Sequence, residues 1–293
     1  WKSDILDIAE RQLQKSRYVT AMDLFREVME SFPDTARMER AQKGYDTASA
    51  RHDMITNLPK WQAQLAAAWP GVSFKLRVDS DGLTLEVRDA GIDDLAPVAG
   101  LPLTHLACWG NSIRDLGPLR GTPLAVLNCA GNPIASLEPL RGMALHSLRC
   151  EGCRSTTREP LRGMPLTFLN VSENPLEAGL QPLAGMKLTW LSCIHCGIET
   201  LEPLRGMPLT MLFCEANRFT SLEPLSGMPL TEMACSGNRI ESLEPLTGLP
   251  LNTLRCSDTR VRSLEPLRGM PLSTFSIQAN RVESLEPLRG MPL

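Results

Sequence analysis

The chain has 293 residues, a formal charge of -3, 43% hydrophobic and 22% charged residues. That length suits one or two domains. The near-neutral charge gives no electrostatic footprint for nucleic acid, and no apolar run approaches the ~20 residues a membrane helix needs. Aromatics are only 5%, so Leu, Met and Cys must supply most of the core. The opening W-K-S-D-I-L-D-I-A-E-R-Q-L-Q-K lacks the apolar core of a signal peptide. The chain starts at Trp1 rather than Met and stops on the first Leu of a further repeat, so it reads as a piece of a longer protein.

Ile5, Ile8, Ala9 and Leu13, then Ala21, Leu24, Phe25, Val28 and Met29, recur at helical spacing and predict two helices, the second closed by Pro33. The spacing of Ala21, Phe25 and Pro33 resembles the second helix of a tetratricopeptide repeat; a generic helical hairpin fits the same residues. A third helix is expected from about Thr35 to Ile55. A fourth covers Trp61–Trp69 and ends at Pro70-Gly71. F-K-L-R-V-D-S-D-G-L-T-L-E-V-R-D then alternates on both sides of Asp81-Gly82, a β-hairpin signal. Its second strand, Leu83–Val87, falls in step with the repeats that follow, so the hairpin is expected to cap the first of them. The expected domains are a helical subdomain over 1–70, the hairpin cap with the first repeat over 71–100, and a repeat array over 101–293.

Gly100, Gly121, Gly142, Gly163, Gly185, Gly206, Gly227, Gly248, Gly269 and Gly290 stand 21 residues apart, with one step of 22 between Gly163 and Gly185. Each unit reads L-x-x-L-x-C-x-x-N-x-I-x-x-L-x-P-L-x-G-M-P. Its L-x-C has period 2 and reads as a short strand with one buried face. Asn can bond neighbouring backbone as the chain leaves the strand. Pro fixes φ and removes a donor, which suits a tight return segment, and Gly lets the chain turn back. One unit cannot bury its own Leu row, but stacked units share a continuous core.

This pattern resembles the leucine-rich repeat, and in particular the short bacterial type of the internalins. It is similar also to the L-x-P-L-x-G-M-P-L repeats that some bacteria append to serine/threonine protein kinases. The resemblance covers roughly residues 83–293. It implies an α/β fold: a curved solenoid with a concave parallel β-sheet, an N-terminal hairpin cap and a small helical subdomain. Nine or ten strands about 4.8 Å apart would span roughly 45 Å.

Cys150-x-x-Cys153 and Cys193-x-x-Cys196 invite a zinc or redox reading. Yet Cys108, Cys129, Cys150, Cys193, Cys214, Cys235 and Cys256 share one inward position of the unit, and Cys153 and Cys196 stand at the Asn position. Free Cys behaves as a small buried hydrophobe. The two C-x-x-C pairs lie two repeats, or about 10 Å, apart, too far for one four-thiolate zinc site. No metal or cofactor is therefore expected. Unpaired thiols favour a reducing compartment, hence cytoplasm; an exported or periplasmic part of a membrane-anchored protein could also hold them in a dry core.

His52, His105, His146 and His195 are not assembled with a nucleophile and an acid at a recognisable spacing. No phosphate-binding, dinucleotide-binding or H-E-x-x-H motif occurs, nor a kinase H-R-D or D-F-G. The expectation is a non-catalytic chain. Glu138, Glu202, Glu223, Glu244, Glu265 and Glu286 form a column, with Arg141, Arg205, Arg268 and Arg289 three residues after some of them. They are expected to pair on a solvated convex side.

Partner-specific information should lie where the repeat varies. Residues between the Leu and Cys of each strand face outward on the concave sheet. Phe168, Trp190 and Met211 are then neighbours in successive strands, flanked by Phe213 and Ile194; Trp109, Arg149 and Arg255 complete the candidate face. Exposed aromatic patches mark interaction sites, and Trp and Arg are favoured at their hot spots. The same stretch holds irregular units: Ser155 and Arg158 stand at apolar positions, and an extra residue lies near Gly179. The resulting expectation is a protein-interaction module that binds a protein on its concave face, as a scaffolding, sensory or regulatory part of a larger bacterial protein such as a serine/threonine kinase. The alternative is an internalin-like surface adhesin. The last Leu row lacks a polar cap, so further repeats or a second copy of the chain would cover it.

Overall fold

The computed structural model describes residues 3–31, 35–155, 157–177 and 179–293; Pro33, the expected end of the second helix, lies outside them. The chain divides into two compact units, Trp1–Leu85 and Glu86–Leu293.

In the first unit, helix α1 is Ser3–Gln14, α2 is Tyr18–Ser31 and α3 is Thr35–Ala68. Leu6 and Ala9 of α1 pack with Ala21, Phe25 and Val28 of α2 and with Ala41 and Ala48 of α3, all buried. Gly44 lies between those two alanines on the same face of α3 and takes the Phe25 ring: a Cβ there would stand 2.3 Å from Phe25 Cζ. The expected third and fourth helices are one. A single Pro59 removes one donor from the ladder, and packing downstream offsets that loss. Leu65 is fully buried, Gln62 donates to the Leu76 carbonyl at 3.0 Å, and Trp69 meets Phe74 edge-on with centroids 6.3 Å apart. Strands β1 (Lys75–Asp79) and β2 (Gly82–Glu86) form the hairpin. Its turn is held by the Asp79 carboxylate, which accepts from the Asp81 amide at 3.0 Å and the Thr84 hydroxyl at 2.8 Å. Gly82 follows at φ +126°.

The second unit carries β3 (Leu103–Ala107), β4 (Val126–Asn128), β5 (Ser147–Arg149), β6 (Phe168–Asn170), β7 (Trp190–Ser192), β8 (Met211–Phe213), β9 (Glu232–Ala234), β10 (Thr253–Arg255) and β11 (Thr274–Ser276). They pair in parallel in chain order, each in register one repeat on, as Phe168 with Trp190 and Trp190 with Met211. The 22-residue step leaves that register intact. Its extra residue is absorbed in the return loop, where the Gly179 amide bonds the Leu176 carbonyl at 3.0 Å.

Each letter of the return segment has a local role. In Thr200-Leu-Glu-Pro-Leu-Arg-Gly206, the Thr200 hydroxyl accepts from the Glu202 amide at 3.1 Å. Leu201 is buried, and Glu202–Leu204 form a 3-10 turn. Pro203 sits where no donor is needed. Gly206 closes the segment at φ +74°. Ser221, Ser242, Ser263 and Ser284 do the work of Thr200 in later units, also near 3.1 Å. The Glu–Arg pairs form as expected: Glu138–Arg141 and Glu202–Arg205 at 2.6 Å, Glu265–Arg268 at 2.8 Å and Glu286–Arg289 at 3.1 Å. Being exposed, such pairs add little stability.

Inside, the Asn position forms a ladder of side-chain bonds to backbone. Asn217 Nδ2 donates to the carbonyls of Cys193 (2.8 Å), Cys214 (3.0 Å) and Glu215 (3.1 Å), while its Oδ1 accepts from the Cys196 and Ile198 amides at 3.0 Å. These bonds let the chain leave the strand without orphaning buried backbone groups. Cys153 and Cys196 keep part of the scheme: each thiol donates at 3.3 Å to a carbonyl one repeat back, Cys129 and Val171 respectively.

Candidate functional site

Period-2 alternation turns Phe168, Trp190 and Met211 outward from β6, β7 and β8, while Leu169, Leu191 and Leu212 between the rows are buried. The outward rings are half-buried because they cover one another. Phe168 and Trp190 stack at 4.0 Å between centroids and 11° between planes; Trp190 and Phe213 lie tilted at 5.3 Å and 43°. The Arg149 guanidinium sits 4.9 Å from the Phe168 centroid, inside cation–π range. The result is a continuous ladder, Arg149–Phe168–Trp190–Phe213, running across four neighbouring strands. Met211 and Ile194 stand beside it, both half-buried. Ser192 and Ala234 belong to an outward row yet are buried, beside Phe213 in register.

Two of the expected residues stand apart. Trp109 follows β3, with the Arg88 guanidinium 5.9 Å from its ring centroid. Arg255, on β10, pairs with Glu232 of β9 at 3.4 Å.

Sequence reasoning did not give weight to Glu151 and Glu215, which flank the ladder from the loops after β5 and β8. Burial pushes both carboxyls above the usual range, opposed by a bond from each residue's own backbone amide and by Arg149 or Arg255. One oxygen of each, Oε2, is covered and has no hydrogen-bond partner. The signal was present, since both occupy the next outward row of the unit.

All nine cysteines are free and buried, as the reading of them as core residues expects. Burial pushes the Cys108, Cys150 and Cys256 thiols up to about 12, so these stay protonated. Among the described residues, no three of His, Cys, Asp or Glu converge where they could hold a metal ion, and no helix is long and apolar enough to cross a membrane.

Register, return turns and the Asn ladder define the class: the second unit is a leucine-rich-repeat solenoid. No protein-family model matches the chain, and no curated protein matches it. Solved structures do. An internalin, InlF, from Listeria monocytogenes is similar at TM-score 0.66 and 22% identity, over 70% of this chain and 69% of that one. The leucine-rich-repeat domain of APL1 is similar at TM-score 0.54 and 23% identity, over 68% and 56%. The likeness lies in the fold.

Proposed function

We propose that the solenoid is a non-catalytic protein-interaction module and that the Arg149–Phe168–Trp190–Phe213 ladder, with Met211 and Ile194 beside it, is the centre of its binding face. The observation that carries this is the ladder itself: three aromatic rings in contact outward on a sheet, two stacked and the third tilted against them, in a chain with 5% aromatic residues. Nothing in the repeat frame calls for rings there, since neighbouring strands carry Ser147, Glu232 and Thr253 at the same position. Rigid aromatic area of this kind is what interface hot spots are made from. On this reading Trp109 and Arg255 belong to the outer parts of the same face. Attachment to a bacterial serine/threonine kinase rests on the resemblance of the L-x-P-L-x-G-M-P-L repeats. The cytoplasmic assignment is supported by the nine unpaired thiols.

The test is a Trp190→Ala/Phe213→Ala variant. It should keep the wild-type far-UV spectrum and melting temperature, since neither ring is in the core. Its affinity for a protein captured by the wild-type chain should fall at least ~30-fold, the scale of losing one hot spot. A Thr274→Ala variant on the same sheet should bind normally. Unchanged affinity in the double variant places the interface elsewhere.

A further inference from the structure

Immediately after the Asn position, four successive repeats carry an arginine: Arg218, Arg239, Arg260 and Arg281. The earlier repeats carry Ser112, Pro133, Arg154, Pro175 and Gly197 there, so the frame does not require the charge. The backbone sets the four in line. Each arginine's amide donates to a carbonyl of the repeat before it, those of Ile198, Phe219, Ile240 and Val261, at 2.8–3.2 Å. Successive positions are thus held about 5 Å apart, and all four side chains are exposed. Like charges at that spacing repel, and the chain as a whole is slightly acidic, at -3. The stripe is therefore a local concentration of positive charge.

At its C-terminal end the stripe closes into a site. Arg262 lies two residues beyond Arg260, across the buried Val261, and is exposed on the same side. Arg260, Arg262, Arg281 and Glu241 line a depression of about 200 Å³. Arg260 has a partner in the Glu241 carboxylate at 3.6 Å. Among the described residues, the Arg262 and Arg281 guanidinia have none. Three guanidinium charges against one carboxylate leave the depression with two positive charges in excess. A carboxylate ligand would supply half of the opposite charge and two acceptor oxygens. A phosphate monoester carries about -1.5 to -2 at pH 7 with three acceptor oxygens, and the arginine fork meets it with paired hydrogen bonds. We propose that Arg260, Arg262 and Arg281 bind a phosphoserine or phosphothreonine in an extended acidic segment of a partner protein, with Arg239 and Arg218 meeting neighbouring carboxylates of that segment.

The surroundings select this occupant. Arg239 and Arg218 continue from Arg260 at about 5 and 10 Å. Alternate side chains of an extended segment stand about 6–7 Å apart on one side, so a chain laid along the stripe can offer them carboxylates. For a nucleic acid the stripe lacks a stacking surface. The one aromatic residue in 218–221, 239–242, 260–263 and 281–284 is Phe219, which is fully buried. The repeats on either side of Arg262 carry Glu241 and Glu283 in its place, and a flat anionic bilayer would meet those carboxylates along with the arginines. The stripe occupies different rows of the repeat from the aromatic ladder, so the two surfaces can be tested apart.

The test is fluorescence anisotropy of a labelled glycine–serine peptide carrying one phosphoserine, with aspartates at alternate positions beside it. It is titrated with the 293-residue chain at about 0.1 M salt. The peptide should bind at least ~10-fold more tightly than its unphosphorylated form, the scale of one hydrogen bond to a charged group. Arg262→Thr and Arg281→Ser each place a residue that another repeat carries there, Thr220 and Ser112, so both variants should fold. Each should weaken binding about tenfold or more. Arg262→Lys/Arg281→Lys keeps the charge without the paired donors and should lose most of the preference for the phosphorylated peptide. Arg268→Ser removes a convex arginine held by Glu265 and should bind as the wild type does, as should Trp190→Ala/Phe213→Ala. Absence of binding, equal affinity for the two peptides, or an undiminished preference in the lysine variant would each overturn the proposal. So would an equal loss in Arg268→Ser or in the aromatic double variant, or tighter binding to a single-stranded oligonucleotide or to phosphatidylserine vesicles.

Discussion

Asn217 and Asn238 occupy the same rung position in successive repeats and look interchangeable, yet removing them should have different costs. Asn217 works with both ends of its amide. Its Oδ1 is the acceptor for the Cys196 and Ile198 amides, and its Nδ2 serves three carbonyls. Asn238 works with one end: Nδ2 donates to the Cys214 and Cys235 carbonyls at 3.0 and 2.9 Å, while Oδ1 has no partner. In Asn217→Ala two buried amides lose their acceptor, at ~1–3 kcal/mol each, so the expected loss is about 3–4 kcal/mol. In Asn238→Ala no amide is orphaned, and the Cys214 carbonyl keeps its bond from Asn217; the expected loss is about 1–2 kcal/mol. Asn217→Cys should fall between the wild type and the alanine variant, because a thiol can donate to the carbonyl one repeat back, as Cys153 and Cys196 do, but accepts only weakly. Urea unfolding followed by far-UV circular dichroism measures the ranking. Amide hydrogen exchange at Cys196 and Ile198 reports it locally, since repeats open in part. Equal costs for the two alanine variants, or undiminished protection of those amides in Asn217→Ala, would refute the assignment of the ladder's energy to its acceptor side.

Gly44→Ala should destabilise the helical unit by about 1–3 kcal/mol, the usual cost of overpacking, because the new Cβ would meet the Phe25 ring at 2.3–2.8 Å. Adding Phe25→Leu should recover part of that loss in a thermal melt; no recovery would mean that the ring is not the obstacle. Glu215→Gln should flatten the pH profile of stability. The Glu215 carboxyl is raised by burial, so its contribution is fully present below the unfolded value near 4.3 and is lost as pH rises through the raised folded value. The variant should therefore match the wild type in acid and exceed it at neutral pH, read as denaturation midpoints across pH 4–7.

The repeat frame was legible in the sequence because each of its letters has a task that can be read locally. Leu and Cys fill the period-2 inner row, Ser or Thr caps the 3-10 turn, Pro stands where no donor is needed, and Gly takes positive φ. The outward facing of Phe168, Trp190 and Met211 followed from the same alternation. What did not follow is anything fixed by depth or by a distant neighbour. The expected third and fourth helices are one because Leu65 and the Gln62 bond to Leu76 act from elsewhere in the fold, beyond what the local spacing up to Ile55 and from Trp61 can show. Ser192 and Ala234 were read as surface residues because row position says nothing about the size of adjoining side chains. The contact of Cys153 with Cys129 joins two different positions of the unit, so a search for equivalent letters could not reveal it.

The irregular letters are concentrated in the same repeats as the aromatic ladder, and the solenoid explains how both can coexist. A repeat touches only its neighbours, so a change confined to one side of a unit need not reach the other. Ser155, Arg158 and the extra residue by Gly179 all lie in loops and return segments after the strands. On the sheet side, Ser147 still pairs Phe168 and Phe168 still pairs Trp190 in unbroken register. That register allows Phe168 and Trp190 to stack at 4.0 Å, since a one-residue slip would turn the rings into the core. The frame has thus absorbed a buried cation and an insertion on its return side while holding three rings in line on its open side. Two independent departures from the consensus, one in the core and one on the face, meet at β5 and β6. Substitution there should therefore move binding and core stability separately: Trp190→Ala/Phe213→Ala the first, Arg158→Leu the second.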